Sequence, residues 1–566
     1  MTEQRVATLG SHGAAVGAAL AGLREDRVVE RIWQGDHTVW KPEPGEISNR
    51  LGWLRVMEEM RTALPEISAL VEEVRGQGFT RALLLGMGGS SLAPEVFRNV
   101  FGVREGYLDL AVLDSTDPGA VLDREQELDF SRTLFVVSTK SGGTVETFSF
   151  FKHFYNQVTE EVGDEAGNRF VAITDPGSGL AETAERYDFR KTFLNDPEIG
   201  GRYSALSHFG LVPAALIGVD VPALLDRAEE MARRCGRDEN PPPDENPGAW
   251  LGAVIGELAA TGHDKLTLLA DPPLGTFSVW IEQLVAESTG KEETGVLPIA
   301  GEEPAPPEVY GNDRLFVYLG LEGREGDLLS AAEELALAGE PVVRLRLRDP
   351  YDLGGEMFRW EMATAVAGRR LGINPFDQPD VEVAKKLARS MVEAYREEGS
   401  LPEPEPTSSS GDVTVYATGE AESPEEALDA LLASGAPGDY VALQAYLWPT
   451  EETTTALQRL RLRLRERTGL ATTLGYDPRF LHSTGQIHKG DAGGGMFVQI
   501  TANPSQDVPI PNEAGAPGSV LSFGVLEKAQ ALGDGQALRD RQRRLVRLHI
   551  TGDIIGVIDR LSERET

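Results

Sequence analysis

The sequence predicts an α/β protein in which helices pack on parallel β-sheets. Short apolar runs typical of buried strands alternate with amphipathic helical patterns along the chain, as in strand–helix–strand units. Polar turns rich in glycine follow two of the predicted strands, at residues 86–91 and 138–144. Because ligands of parallel sheets bind at the carboxyl ends of the strands, we expect both turns to lie where a ligand would bind.

The chain of 566 residues is long enough to form several domains. We predict a helical segment at residues 1–70, a first α/β domain at 71–244 and a second at 245–400. Residues 401–411 are rich in proline, glutamate and serine, and this composition is typical of a linker. A smaller α/β domain is predicted at residues 412–566.

The composition limits the kinds of partner that the protein can have. Lys and Arg number 54 against 90 Asp and Glu, a formal net charge of −36, so the chain should repel nucleic acid and anionic membranes. The single cysteine, Cys235, excludes an internal disulfide and a metal site built from cysteines. The N-terminus lacks the pattern of a signal peptide, and no apolar run has membrane-spanning length. We therefore expect a soluble, cytoplasmic protein.

The stretch from Val136 to Thr147 has the composition of an anion site. A predicted buried strand at 134–137 precedes it, and a helical pattern follows from Thr144. Four hydroxyls, Lys140 and two glycines lie between the strand and the helix. The glycines allow the backbone N–H groups to point inward beside the helix N-terminus, while the hydroxyls and the lysine suit a phosphate. The alternative is a polar loop that only caps the helix.

The turn at residues 86–91 is compatible with two kinds of ligand. Its sequence, Gly-x-Gly-Gly-Ser-Ser after a strand, resembles half of a dinucleotide fingerprint, although Ser91 stands at the third glycine position. Asp114 ends the next predicted strand, where an acid that binds ribose would lie. Alternatively, Gly89 and Ser90 bring backbone N–H groups and a hydroxyl close to a sugar phosphate.

The motif Gly-Gly-Arg-Tyr-Ser places an arginine near a predicted helix start. Ser204 is the expected N-cap of an apolar helix over residues 205–217. Arg202 would then lie beside the positive helix end, a position suited to holding developing negative charge. The alternative is a surface arginine after a turn.

A predicted helix over residues 277–287 ends in Glu-Ser-Thr-Gly-Lys, with Gly290 as the expected C′ residue. Glu287 would meet the negative end of the helix dipole, which favours proton uptake and suits a general base. An ordinary exposed glutamate is the alternative. Glu282, on the polar side of the same helix, is expected to be solvated.

Two further motifs carry residues whose roles the local pattern leaves open. Lys385 falls at the edge of the inner face of a helix that opens within residues 375–386, where it either extends to solvent or binds an anion. The loop at 480–490 contains His482 and His488. A metal site would need a third ligand and none is obvious nearby, so we expect no metal.

Together these motifs resemble those of the glucose-6-phosphate isomerase family. Five of them occur in family order within residues 50–395, namely Gly-x-Gly-Gly-Ser, Ser-Gly-Gly-Thr-x-Glu-Thr, Gly-Gly-Arg-Tyr-Ser, Glu-Ser-x-Gly-Lys and Phe-Asp-Gln-x-x-Val-Glu-x-x-Lys. In particular, the chain resembles the isomerase half of fused transaldolase/phosphoglucose isomerases. The resemblance implies two sugar-isomerase (SIS) domains, each a doubly wound parallel sheet flanked by helices, and usually a dimer with active sites at the subunit interface. It implies interconversion of glucose 6-phosphate and fructose 6-phosphate in glycolysis and gluconeogenesis, without a metal or an organic cofactor.

The resemblance also implies roles for individual residues. The hydroxyl-rich loop would bind the phosphate, and the Gly-Ser pair would flank the sugar. The substrate-binding residues would be Gly89, Ser90, Thr139, Lys140, Ser141, Thr144 and Gln378. Arg202 would stabilise the cis-enediolate, and Glu287 would carry the proton between C1 and C2. Gln378 and Lys385 would contact the phosphate side and the ring oxygen.

The chain departs from the family at the ring-opening histidine. The family usually places this residue shortly after the catalytic glutamate, whereas here no histidine lies between His263 and His482. The Leu-His-Ser-x-Gly-Gln sequence of bacterial members occurs instead at residues 481–486. We therefore predict that the third domain folds back and places His482 over the sugar, in the same chain or in a dimer partner. The alternative is that His482 and His488 only order a polar loop.

Two other classes of function remain as alternatives. An NAD-dependent oxidoreductase could use the same alternating sheet, although Ser91 in the fingerprint counts against it. A SIS-type sensor of sugar phosphates would not need Glu287 and would usually carry a DNA-binding element, which the charge of −36 disfavours. Transaldolase activity is not expected, because the third domain is too short for an ordinary (β/α)₈ barrel.

Overall fold

The computed structural model describes residues 6–239, 241–324 and 326–563. The strands are β1 Val6–Thr8, β2 Arg81–Gly86, β3 Asp109–Leu113, β4 Thr133–Ser138, β5 Phe170–Thr174, β6 Lys191–Leu194, β7 Lys265–Ala270, β8 Leu297–Ile299, β9 Arg314–Leu321, β10 Val342–Leu347, β11 Ser408–Ser410, β12 Val413–Ala417, β13 Tyr440–Tyr446, β14 Ala471–Tyr476, β15 Gly495–Ala502, β16 Pro509–Pro511, β17 Ser519–Ser522 and β18 Arg544–Ile550. The helices are α1 Gly13–Glu25, α2 Val28–Trp33, α3 Val56–Gly76, α4 Leu92–Phe101, α5 Pro118–Glu127, α6 Val145–Val162, α7 Gly179–Arg186, α8 His208–Leu216, α9 Val221–Arg234, α10 Pro247–Ala260, α11 Gly275–Thr289, α12 Asp327–Ala338, α13 Asp352–Leu371, α14 Pro379–Glu398, α15 Pro424–Ala433, α16 Glu451–Thr468, α17 Ile487–Gly490, α18 Phe523–Asp540 and α19 Ile554–Glu563.

The first sheet pairs its strands in parallel in the order β3-β2-β4-β5-β6. Residues of β2 and β4 are buried without alternation, as expected of strands that are covered on both faces. β2 and β4 are neighbours, and Gly86 pairs with Ser138 at their carboxyl ends. The two glycine-rich turns that follow these strands therefore lie side by side.

The second sheet has the order β1-β10-β9-β7-β8 and is parallel except for the antiparallel edge strand β1. β1 comes from the segment predicted to be helical, so this segment also supplies a strand. The same segment packs inward, because Trp53 is completely buried and the indole of Trp40 donates to the carbonyl of Ala365 at 2.7 Å. The N-terminal segment thereby joins the first two sheets into one body.

The third sheet has the order β11-β12-β18-β15-β13-β14 and combines parallel strands with an antiparallel edge. Its edge strand, Ser408–Ser410, lies within the segment that composition assigned to a linker. These serines pair with β12 in a tight hairpin, and that partner strand lies just outside the segment whose composition was considered. The predicted fold class, two parallel-sheet units and a smaller C-terminal α/β unit, is confirmed.

The third unit packs on the first, around helices α6 and α14. Phe523 at the start of α18 stacks on Phe150 of α6 with ring centroids 5.7 Å apart. A Cβ atom at Gly533 of α18 would approach the backbone of Ala388 to 2.8 Å, so α18 and α14 are in close contact. This packing covers the helix that follows the hydroxyl-rich turn and the helix that carries Lys385. In the described ranges, no helix combines the length and apolar composition required to cross a bilayer.

Candidate active site

The hydroxyl-rich turn between β4 and α6 borders a cavity of about 550 Å³. Ser141 is exposed and lines the cavity together with Thr144, the residue that precedes α6. The hydroxyl of Thr139 lies 2.9 Å from that of Thr144 and orders the turn from behind. The N-terminus of α6 therefore faces a space of suitable size for a sugar phosphate, with hydroxyl groups beside it.

The charge of Lys140 is directed away from this cavity. Its ammonium group forms an ion pair with Asp175 and donates to the carbonyl of Pro197 at 2.9 Å. Lys385 of α14 lines the cavity instead and is half-buried there. A direct contact between Lys140 and phosphate stays a prediction.

Arg202 is held by several hydrogen bonds in a short 3₁₀ turn, Gly201–Tyr203. Its guanidinium donates to four acceptors, which are the Ser288 hydroxyl (2.7 Å), the Gln378 side chain (2.9 Å) and the carbonyls of Pro375 (2.7 Å) and Asp377 (3.0 Å). These contacts leave the side chain buried and fixed in one orientation. Arg202 therefore reaches a precise position without depending on a helix end.

The predicted cap of the following helix is wrong. α8 begins at His208, and Ser207 caps it by accepting from the backbone N–H of Phe209 at 3.3 Å. Ser204 instead donates to the carbonyl of Gly201 at 2.6 Å, which closes the 3₁₀ turn. The helix begins one turn later than predicted because residues 201–203 form a 3₁₀ turn of their own.

Glu287 lies in the last turn of α11, next to Arg202. One carboxylate oxygen is 3.3 Å from a guanidinium nitrogen of Arg202, and the other accepts from the side-chain amide of Gln283 at 3.2 Å. Only 12% of the glutamate side chain is exposed. Each carboxylate oxygen is therefore held by one protein group, and a small part of the side chain stays accessible to solvent.

The end of α11 differs from the predicted left-handed C′ glycine. Gly290 has a φ of −75°, an ordinary value for any residue. A Cβ atom here would lie 2.3 Å from Ile487 of the third unit. Glycine is needed at this position because the third unit packs directly against the helix end that carries Glu287.

His482 reaches this site in the same chain. Gln283 Nε2, which donates to Glu287, also donates to the backbone carbonyl of His482 at 2.8 Å. His482 Nε2 lies 3.1 Å from a carboxylate oxygen of Glu146 in the first turn of α6. One amide group thus connects the glutamate and the histidine, although they are far apart in sequence.

Glu146 is buried beside His482. Burial alone would raise the pKa of this carboxyl, but the charge and hydrogen bond of His482 and the charge of Lys385 hold the pKa below its usual value. Gln530 of α18 donates a second hydrogen bond to the same oxygen at 2.8 Å. The carboxylate is therefore ionised at neutral pH and fixes the imidazole ring.

The turn after β2 packs against the arginine turn. A Cβ atom at Gly89 would lie 1.9 Å from the carbonyl oxygen of Gly201, so no side chain fits. Ser90 follows in the same 3₁₀ turn and is buried. The backbone at Gly89 and Ser90 therefore lies at the inner edge of the site, beside Arg202.

Comparison with known proteins identifies the family. The profile of phosphoglucose isomerases matches residues 53–298. The glucose-6-phosphate isomerase of Rubrobacter xylanophilus is 31% identical over 433 residues, which cover 67% of this chain and 97% of that protein. The chain belongs to the phosphoglucose isomerase family. A probable glucose-6-phosphate isomerase from Natronomonas pharaonis is 32% identical over 57% of this chain and 82% of its own length.

Solved structures agree with this family assignment. A hypothetical protein from Thermus thermophilus superposes with a TM-score of 0.60 and 26% identity, over 68% of this chain and all of that chain. A glucose-6-phosphate isomerase from Chlamydia trachomatis shares the fold, with a TM-score of 0.59 and 18% identity over 69% of this chain and 88% of its own. These structures support the fold, and the predicted family resemblance is confirmed by the profile match and the Rubrobacter relative.

Sequence reasoning missed several residues of the site in this family member. Glu146 and Lys291 stand inside two of the quoted motifs, which was a usable signal. Gln283 lies one helical turn before Glu287 on the same side of α11, a weaker signal. Gln530 has no local pattern that points to the site.

Lys291 is a buried cation next to the arginine. Burial and the nearby Arg202 charge lower its pKa to about 8, and Asp377 opposes this shift. The ammonium donates to a carboxylate oxygen of Asp377 at 2.8 Å and to the carbonyl of Asn374 at 2.9 Å. Lys291 therefore holds the segment whose carbonyls and Gln378 side chain orient Arg202.

The expectation that Glu282 is solvated is met only in part, because the side chain is half-buried. It lines a second cavity of about 650 Å³ that is also bordered by the third unit, and burial raises its pKa to about 7. The charges of Arg461 and Arg479 oppose this rise. Helical periodicity placed Glu282 correctly on the polar side of α11, but the third unit covers that side.

Asp114, the acid that a dinucleotide site would use, is already bound by protein groups. Arg479 donates to its two carboxylate oxygens at 2.9 and 2.8 Å, and the hydroxyl of Ser91 donates at 3.2 Å. The Asp114 carboxylate therefore stabilises the contact between the first and third units. Across the described ranges, no group of three or more His, Cys, Asp or Glu side chains is arranged to hold a metal ion.

Proposed function

We propose that the protein is a glucose-6-phosphate isomerase that interconverts D-glucose 6-phosphate and D-fructose 6-phosphate through a cis-enediolate. The observation that carries the proposal is that Glu287 pairs with Arg202 and is linked through Gln283 to His482, a residue that lines the cavity bordered by phosphate-type donors. An aldose–ketose isomerisation needs a base, a stabiliser of enediolate charge and a group that opens the sugar ring. These three side chains have the corresponding chemistry.

Glu287 would remove the proton from C2 of the aldose and return it to C1. The Gln283 amide and the Arg202 guanidinium hold its two oxygens in fixed directions, which favours transfer between neighbouring carbons. Arg202 would stabilise the negative charge that develops on the enediolate oxygens. Since protein acceptors already orient the guanidinium, little reorganisation is needed during the reaction.

The phosphate group would bind at the start of α6. The hydroxyls of Ser141 and Thr144 and the free N–H groups of the first turn are donors, and Lys385 supplies positive charge across the cavity. The sugar would then extend along Gly89 and Ser90 toward Arg202. Gln378, whose side-chain oxygen accepts a hydrogen bond from the Arg202 guanidinium, would lie between that group and the substrate.

His482 would open the ring by moving a proton between O1 and the ring oxygen. An imidazole transfers protons effectively near neutral pH. The ionised carboxylate of Glu146 would stabilise the imidazolium form and keep the ring in position. Gln530 would in turn keep Glu146 in place.

A coupled assay tests the proposal directly. Purified protein with a chelator should convert fructose 6-phosphate to glucose 6-phosphate. Glu287→Gln keeps the shape and removes proton transfer, so kcat should fall by at least ~100-fold while KM changes little. Glu257→Gln is the control, because that glutamate pairs with Arg370 on another helix and should leave kcat unchanged. Near wild-type turnover in Glu287→Gln would exclude Glu287 as the base.

The alternatives account for fewer of these features. A nicotinamide enzyme would need Asp114 for ribose, and Arg479 already occupies both oxygens of that carboxylate. A sugar-phosphate sensor would not require the oriented pair of Glu287 and Arg202. We place the enzyme in the cytoplasm, where sugar phosphates are made and consumed, and a homodimer stays a prediction.

A further inference from the structure

We infer that Gln486, a residue of the third unit, is a positioning residue for this isomerisation; the inference rests on the proposed function. Its side chain joins the C-terminal end of α11, which carries Glu287, to the N-terminal end of α14, which carries Lys385 and follows Gln378. The distance between base and substrate-binding groups would therefore be fixed by a residue that touches no substrate.

The side chain of Gln486 is completely buried and uses its full hydrogen-bonding capacity. Its oxygen accepts from the backbone N–H groups of Asp380 at 3.0 Å and Val381 at 3.3 Å. Its nitrogen donates to the carbonyl of Gly290 at 2.8 Å and to the Asp380 carboxylate at 2.8 Å. One amide thus caps the start of α14 and holds the end of α11.

The start of α14 depends on a cap from elsewhere in the chain. The first N–H groups of a helix need acceptors, which the residue before the helix commonly supplies. Here that residue is Gln378, and its side-chain oxygen accepts from Arg202 instead. Gln486 therefore supplies the cap and leaves Gln378 free to orient the arginine.

Neighbouring residues of the same loop make the contact rigid. A Cβ atom at Gly490 would lie 2.2 Å from the carbonyl oxygen of Gly290, which Gln486 also binds. Arg541, just after α18, pairs with the second carboxylate oxygen of Asp380. The link between α11 and α14 is therefore supported from both sides by the third unit.

The test compares kcat with stability in matched variants. Gln486→Ala removes the amide, and Gln486→Glu keeps its size but loses both donated bonds and adds charge beside Asp380. Leu457→Ala is the control for destabilisation, because this leucine is buried in the core of the third sheet. For each protein we would measure kcat and KM with fructose 6-phosphate, the inhibition constant of inorganic phosphate, and the thermal midpoint.

Both Gln486 variants should lose kcat about tenfold or more, since misplacement by about 1 Å can reduce a rate by ~100-fold. Inhibition by inorganic phosphate should weaken much less than kcat falls, because the donors Ser141 and Thr144 lie in the turn before α6, to which Gln486 makes no hydrogen bond. Leu457→Ala should lower the thermal midpoint and keep its kcat. This split between kcat and phosphate binding would not follow from a purely structural role.

Four results would overturn the inference. The first is that the Gln486 variants have the same kcat as Leu457→Ala. The second is that inhibition by phosphate weakens by as large a factor as kcat falls. If the Gln486 variants do not fold, the test uses Arg541→Gln, which removes only the ion pair with Asp380. An unchanged kcat in that variant overturns the inference. A wild type without isomerase activity would overturn the proposed function and this inference with it, whereas an active wild type with fully active Gln486 variants overturns the inference alone.

Discussion

Replacing Glu282 by glutamine should stabilise the folded protein at pH 8 and leave its turnover unchanged. Burial beside the larger cavity raises the pKa of this carboxyl to about 7, whereas an unfolded glutamate titrates near 4.3. Between these values the folded state binds more protons than the unfolded state. The wild type therefore loses stability as the pH rises from about 4 to 7.

The magnitude follows from the two pKa values. At about 1.4 kcal/mol for each pKa unit, the difference of about 2.7 between the two pKa values means that the ionised Glu282 destabilises the folded protein at pH 8 by about 3.5 kcal/mol. At pH 5 the same effect is about 1 kcal/mol, because this pH lies less than one unit above the pKa of the unfolded glutamate. Glutamine does not titrate and keeps an oxygen for the backbone N–H of Ala300, so the variant avoids this loss.

Urea unfolding of the wild type and Glu282→Gln at pH 5 and pH 8 measures the effect. The free energy of unfolding should be higher in the variant, and the gain should be larger at pH 8 than at pH 5. A gain that is equal at both pH values, or a variant that is less stable at pH 8, would refute the argument. Glu287→Gln, on the same helix, is the matched comparison, and a large loss of kcat in Glu282→Gln instead would make Glu282 the candidate base.

Three further predictions concern the phosphate turn, the histidine and the helix contact. Ser141→Ala or Thr144→Ala removes a donor to a charged acceptor, so KM should rise about tenfold with a smaller change in kcat; steady-state kinetics would show it, and an unchanged KM in both would place the phosphate elsewhere. His482→Ala should lose activity on cyclic fructose 6-phosphate and retain it on an open-chain substrate, and equal losses on both would exclude ring opening. Gly290→Ala introduces a methyl group against Ile487 and should lower the free energy of unfolding by about 1–3 kcal/mol, as measured with urea.

The sequence was sufficient for features that depend on local pattern. The strand β4, the turn and the helix α6 follow one another within a few residues, and hydrophobicity with glycine and hydroxyl content defines them. Both ends of α11 and the start of α14 were also predicted to within a few residues. The motif order then indicated the family, which the comparisons confirm.

Features that depend on distant partners were not predictable in the same way. Lys140 forms its ion pair with Asp175, a residue of another strand end, and local sequence gives no indication of that pairing. The surroundings of Glu282 depend on where the third unit packs. The cap of α14 comes from Gln486, although local rules place caps next to the helix.

The shared amide of Gln283 has a consequence for mixtures of mutant chains. It joins Glu287 to His482 of the same polypeptide, so under the proposed function each chain contains its own base and its own ring-opening histidine. A Glu287→Gln chain and a His482→Ala chain are then each defective in their own site. We therefore expect that co-expressing them does not restore turnover, whereas a site assembled from two chains would be rescued by such complementation. A defective copy would equally leave an intact copy in the same cell fully active.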